Sequence, residues 1–170
     1  AGLLAISLSL TAMLIYIWIR FEWQFSLAAI VALVHDVIIT VGIFSFLSYE
    51  INLSIVAAVL TIVGYSMNDT VVIFDRIREN LRKYSKISIS EISDTSTHQT
   101  LSRTLITSVT TLLALFSIYI FGGEILKGFS FAMIIGVIVG TYSSIFVATP
   151  ILNYAKVSQK TVLKEDIDNN

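Results

Sequence analysis

The sequence predicts an all-α polytopic membrane protein with five transmembrane helices. Of its 170 residues, 55% are hydrophobic and only 14% are charged, where a soluble domain carries about a quarter charged residues. Mean hydropathy is +0.83. Five apolar runs approach the ~20 residues that a helix needs to cross a ~30 Å hydrocarbon core. No stretch of about ten residues alternates apolar and polar side chains, which argues against barrel strands. A single proline, Pro150, leaves the helices free to run long. There is no cysteine, so disulfide and thiol chemistry are excluded.

The first run covers residues 2–19 and ends in IYIWIRF. Its charge, Arg20, follows the apolar stretch, and no small-residue cleavage pattern closes it, so it reads as a span rather than a signal peptide. Trp18, Phe21 and Trp23 then sit at a membrane interface. The second and third runs cover residues 25–47 and 53–74, the fourth about 105–121, and the fifth about 129–152. Together residues 1–155 form one transmembrane domain. Residues 75–104 are its long connection, where Ser88 and Glu91 have capping-box spacing and predict a short surface helix. Polar residues 156–170 are expected to be a disordered tail. In the fifth run Gly128, Ala132, Gly136, Gly140, Ser144 and Ala148 recur every four residues. Such a small-residue face lets another helix approach closely, in this chain or in a partner.

Charge fixes an expected topology. Arg20, then Arg76, Arg78, Arg82, Lys83, Lys86 and Arg103, then Lys156, Lys160 and Lys164 all fall on one side of a five-span chain, and only Lys127 falls on the other. Basic residues stay cytoplasmic, which puts the 75–104 connection and the C-terminus inside, and residue 1 and whatever precedes it outside.

The chemistry concentrates in a few polar positions. Asp36, preceded by His35, lies mid-way through the second run; Asp69, preceded by Asn68, lies in the third. An aspartate at a helix centre costs roughly 2.5–3.5 kcal/mol on insertion scales, so it marks a pathway or locks helix packing. Asp69 favours the first alternative, and Asp36 divides evenly between them. In the fourth run Thr100, Arg103, Thr104, Thr107 and Thr111 share one helical sector, with Ser108 beside it. Those hydroxyls line a wet crevice or bond across helices. Arg103 on the same sector would favour a charged carboxylate nearby, and separation would favour the neutral form. Whether it meets Asp69 or Asp75 is open at this level. The run Asp75, Arg76, Arg78, Glu79 and Arg82 reads as a solvated helix end with interface-anchoring arginines. Two histidines and no cysteine argue against a metal site.

At these residues a family resemblance becomes specific. GYSMNDTVVIFDRIRENLR, with ALVHDVIITVGIF before it and QTLSRTLITS and GTYSSIFVATP after it, resembles the SecF family of the bacterial SecD–SecF export factors. The likeness runs from about Leu27 to Leu152. It implies the last five of six spans, most of one half of a resistance-nodulation-division-type bundle, without the first span and the large periplasmic domain that follows it in the family. It further implies an inner-membrane subunit with SecD, the SecYEG translocon, the translocating preprotein and the lipid bilayer as partners, without nucleic acid, cofactor or enzymatic reaction. Such a subunit uses the proton motive force to draw preproteins out on the periplasmic side. By motif Asp69 matches the family's proton-carrying aspartate, Arg103 its functional arginine, and Asp36 a recurrent intramembrane acid. Two other readings stand beside this one. An intramembrane aspartyl protease would need paired carboxylates in YD and GxGD contexts, and here the acids sit in HD and ND. A structural subunit would stabilise a partner channel without conducting protons.

Overall fold

The computed structural model describes residues 2–50, 52–84, 86–160 and 162, and every regular element among them is helical. Helix α1 spans Gly2–Arg20, α2 Trp23–Phe46, α3 Leu53–Lys83, α4 Ile89–Phe121 and α5 Gly123–Ser143. A π-helical segment, Ser144–Ala148, joins α5 to α6, Thr149–Tyr154. Among the described residues four continuous helices are long and apolar enough to cross a membrane: Trp23–Phe46, Leu53–Lys83, Ile89–Phe121 and Gly123–Tyr154. The shorter α1 is apolar as well and packs on α2 and α3.

Helix starts follow local chemistry. The Asn52 side chain accepts from the Ile55 N–H at 3.1 Å, and the Ser88 hydroxyl from the Glu91 N–H at 3.3 Å. Each satisfies a donor that the first helical turn leaves open. The long connection expected at 75–104 is nearly all helix. Helix α3 runs nine residues past Phe74 to Lys83, and α4 begins at Ile89 instead of forming a separate surface helix. The cause is side-chain pairing between the two extensions. Asn80 Nδ2 donates to Ser96 Oγ at 2.8 Å and to Gln99 Oε1 at 3.0 Å, and Arg76 Nε donates to Gln99 Oε1 at 2.6 Å.

The tail expectation fails in its first part. Val157 and Val162 are buried among the core residues, and apolar burial there outweighs the polar composition around them. Residues 161 and 163–170 lie outside the described residues.

Two apolar clusters fill the bundle. One gathers Phe21, Phe25 and Phe74 with Ile73, Ile77 and Leu81. The Phe74 ring packs edge to face on Phe21 and Phe25, with centroids 6.0 and 5.3 Å apart. The other gathers Phe44, Ile55, Ile62, Leu115 and Val137. Along α2, Asp36 and Thr40 separate Leu33 of the first cluster from Phe44 of the second.

The small-residue face of α5 finds its partner within the chain, on α3. Ala132, Gly136, Gly140, Ser144 and Ala148 are all buried. A Cβ on Gly136 would stand 2.2 Å from Ile62 Cγ1, and one on Gly140 would stand 3.0 Å from Ser66 Cβ. A side chain at 136 would collide and one at 140 would be tight, and the approach brings the hydroxyls of the two helices together: Thr70 Oγ1 and Ser144 Oγ lie 2.9 Å apart. Pro150, one residue into α6, has no N–H for the Phe146 carbonyl. The π segment before it widens the spiral, and Thr149 Oγ1 donates to the Ser144 carbonyl at 3.0 Å.

Candidate functional site

The bundle holds two buried aspartates in opposite states of satisfaction. Asp36 is 1% exposed and fully tied. Ser66 Oγ of α3 donates to its Oδ2 at 2.5 Å, and Ser143 Oγ of α5 donates to the same oxygen at 2.8 Å. His35 Nδ1, from the preceding residue, lies 3.1 Å from Oδ1. One carboxylate thus joins three helices. Ser66 and Ser143 meet at one oxygen because Gly140 lets α5 close down on α3 at that level.

Asp69 is 5% exposed, and its Oδ2 has no hydrogen-bond partner among the described residues. Leaving a buried carboxylate oxygen unpaired costs more than leaving a neutral one. The cation whose charge reaches Asp69 is Arg103, yet no ion pair closes between them within 4 Å. Asp75, the alternative partner, is taken by Arg20, with Arg20 Nη2 2.8 Å from Asp75 Oδ1. Arg103 is exposed and lines an open crevice of about 370 Å³ between α3 and α4, together with Asp75, Arg76, Glu79, Gln99 and Thr100. A guanidinium beside an incompletely solvated acid can stabilise its charge at one separation and release it at another.

The other expected site residues divide. Asn68 is exposed on the outer side of α3 and does not join Asp69 within the bundle. Thr107 donates to the Arg103 and Thr104 carbonyls of its own helix, both at 3.0 Å. Thr104 is 1% exposed and its Oγ1 has no partner among the described residues. Ser108 and Thr111 bond across helices, Ser108 to Thr141 at 2.7 Å and Thr111 to the Tyr65 hydroxyl at 3.4 Å. Among the described residues no three His, Asp or Glu side chains converge as a metal-binding group.

Sequence reasoning missed Ser66, Thr70 and Ser143. The signal was present: Ser66 and Thr70 stand four apart on α3, and TYSS places hydroxyls at the level of Gly140. It also missed the order in the basic run after Phe74. Arg78 pairs with Glu22 at 3.2 Å, both side chains being nearly buried, and its guanidinium lies 5.5 Å from the Phe21 ring centroid. These residues fasten the α1–α2 turn to α3, where a solvated helix end was expected.

Comparison with known proteins shows the family. The family model described as "Protein export membrane protein SecD/SecF, C-terminal" matches residues 1–158. The chain belongs to this family. Protein translocase subunit SecF of Rickettsia bellii is 57% identical over 152 residues, covering 89% of this chain and 50% of the relative. SecF of Cereibacter sphaeroides is 46% identical over 94% of this chain and 49% of the relative. The chain therefore spans about half the length of the curated SecF relatives it matches. A Thermus SecDF crystal structure, described as a translocon-associated membrane protein, superposes with a TM-score of 0.88 at 42% identity, over 91% of this chain and 22% of that one. SecDF in a super-membrane-facing form gives 0.82 at 40% identity, over 95% of this chain and 22% of that one.

Proposed function

We propose that this SecF-family chain is the proton-carrying part of a protein-export motor, with Asp69 as the group that takes up and releases the proton. The observation that carries the reading is the buried, unpartnered Oδ2 of Asp69, one turn of α3 before Val72, which lines the same crevice as Arg103. A proton is the smallest ligand that satisfies a buried carboxylate. Its arrival removes a charge from the interior and with it the attraction between Asp69 and Arg103. One charge crossing a ~100 mV potential is worth roughly 2.3 kcal/mol, about fifty-fold in a two-state population. The close α3–α5 contact offers a rigid body through which such a shift can pass to an extracytoplasmic domain.

The rest of the reading is supported by membership in the family and by the distribution of basic residues. Helix α1 counts as a fifth span, the bundle as most of one resistance-nodulation-division half, and the C-terminus as cytoplasmic in a bacterial inner membrane. A SecD subunit, the SecYEG translocon and the translocating preprotein are the partners, and the chain performs no enzymatic reaction. The structural-subunit reading finds its support at Asp36, whose hydrogen bonds are those of a packing residue. Proton flux through the full-length complex in lipid vesicles separates the two. Under an imposed gradient, Asp69→Asn abolishes flux at normal complex yield if Asp69 carries the proton. Wild-type flux in both Asp69→Asn and Arg103→Met would sink the motor.

A further inference from the structure

Outside the Asp69 region the molecule carries a second polar feature that proton transfer does not use. A cavity of about 650 Å³ lies between α4 and the rod formed by α5, the π segment and α6. It is amphipathic along its length. Where α4 begins and α6 ends, it is lined by Ser93, Asp94, His98 and Asn153. Further along α4 and α5 it is lined by Leu101, Leu105, Ile138, Tyr142 and Phe146. The apolar half opens outward, with Leu105, Ile138, Tyr142 and Phe146 all exposed from the bundle. Eleven residues of α4 separate Asp94 from Leu105, roughly 16 Å at 1.5 Å per residue, about the reach of an acyl chain into one leaflet.

The polar end is unfinished. Ser93 is 1% exposed, and its hydroxyl has no hydrogen-bond partner among the described residues. The Oδ1 of Asn153 is likewise buried and unpartnered. Buried polar groups in native proteins are otherwise satisfied, so two orphans at one end of a cavity call for a ligand. Its charge can be read from the lining. Asp94 supplies a carboxylate, and among the described residues no lysine or arginine lines the cavity to balance a ligand of net negative charge. Asn153 Oδ1 is an acceptor and needs a donor. The ligand must therefore bring a cationic N–H group to the Asp94–Asn153 side, an oxygen for the Ser93 hydroxyl, and a hydrocarbon tail for the apolar half.

We propose that this groove is a binding site for a phospholipid with a primary-ammonium headgroup, phosphatidylethanolamine in chemical type. The ammonium donates to the Asp94 carboxylate and to Asn153 Oδ1. The phosphate accepts from Ser93 and from His98, and one acyl chain lies along Leu101, Leu105 and Phe146. A choline headgroup has no N–H to donate, and a glycerol headgroup leaves a net negative charge facing Asp94. The inference needs only that the bundle spans a membrane, and it stands whether or not Asp69 carries a proton.

The test is native mass spectrometry of the full-length complex, titrated with dioleoyl-phosphatidylethanolamine, -phosphatidylcholine or -phosphatidylglycerol. The ethanolamine lipid is expected to be retained about tenfold more strongly than the other two, as one charge-assisted hydrogen bond provides. Asp94→Asn should erase most of that preference. Leu105→Trp, a change at a half-exposed position that fills the apolar half, should lower retention of bound lipid with the fold intact. Equal retention of the three lipids would show annular lipid only and overturn the proposal. So would a preference for the glycerol lipid, an ethanolamine preference that both variants leave unchanged, or a groove that retains no lipid because another protein segment covers it.

Discussion

Asp36 and Asp69 are the two acids that the membrane interior of this chain buries, and they are built in opposite ways. Asp36 is held by Ser66 and Ser143 on one oxygen and His35 on the other. Asp69 keeps an oxygen with no partner and has its cation on an open crevice rather than in contact. A carboxylate that accepts three hydrogen bonds has nowhere to go, because each conformational step must break ties to two other helices. A carboxylate with an open oxygen gains by taking a proton or by moving. Burial and residue type are the same at the two sites, so the difference lies wholly in the neighbours. Small hydroxyl residues on α3 and α5 reach Asp36, and none closes on the free oxygen of Asp69.

The widest test of this contrast sets the two isosteric amides side by side. In the full-length complex, Asp69→Asn is expected to lower proton flux by about a hundredfold or more, the loss of an obligatory carrier worth ~2.7 kcal/mol in rate. Asp36→Asn is expected to leave flux nearly unchanged, since an amide oxygen still accepts from Ser66 or Ser143 and serine hydroxyls rotate to suit. Vesicle flux assays check both, with purification yield as the control for assembly. The reverse pattern would exchange the roles of the two acids.

The ties at Asp36 depend on the α3–α5 approach, so crowding that approach comes next in size. Gly136→Leu forces a side chain into the space of Ile62, already 2.2 Å from where a Cβ would stand. Overpacking of this kind costs about 2 kcal/mol. Chemical unfolding in mixed micelles would show the loss, and α5 would stand off from α3 along its whole length. An undisturbed stability would mean that the α3–α5 contact is looser than the geometry says. Asp36→Ala ranks below it. It deletes the acceptor for two interhelical bonds at roughly 0.6 kcal/mol each in a membrane, so about 1 kcal/mol is expected in the same assay.

The fold was largely legible and the satisfaction of the two acids was not. Apolar runs locate helices because backbone groups in lipid have no other partner than their own helix. The spacing of Gly136 and Gly140 announces a close contact before any neighbour is known. What periodicity hides is which residues meet across helices. Asp36 and Asp69 each stand in an apolar run with a polar residue before it, and nothing in that text shows which hydroxyls close on which acid. Ser143 lies 107 positions from the carboxylate it serves. The run from Asp75 to Arg82 hid its order for a related reason: Glu22 and Gln99, which organise it, belong to a distant turn and to another helix. Val157 and Val162 were overlooked because two apolar residues in a polar tail show no period.

The smallest effect is the most discriminating one. Ser143 is fully buried and makes one bond to Asp36 Oδ2 at 2.8 Å, besides a longer one to the Gly140 carbonyl at 3.3 Å on its own helix. Ser143→Ala removes a single oxygen and leaves Ser66 and His35 in place. The expected loss is ~0.6 kcal/mol of stability, the mean for one hydrogen bond between membrane helices, with proton flux unchanged. Unfolding and flux measured on the same preparation check it. If flux falls while stability holds, Asp36 belongs to the proton path and its ties are working parts. In that event the contrast between a locked acid and a free one collapses into a single relay through α2, α3 and α5. If stability alone falls, and by about this amount, the three bonds at Asp36 are additive packing contacts and Asp69 is left as the acid that can change state.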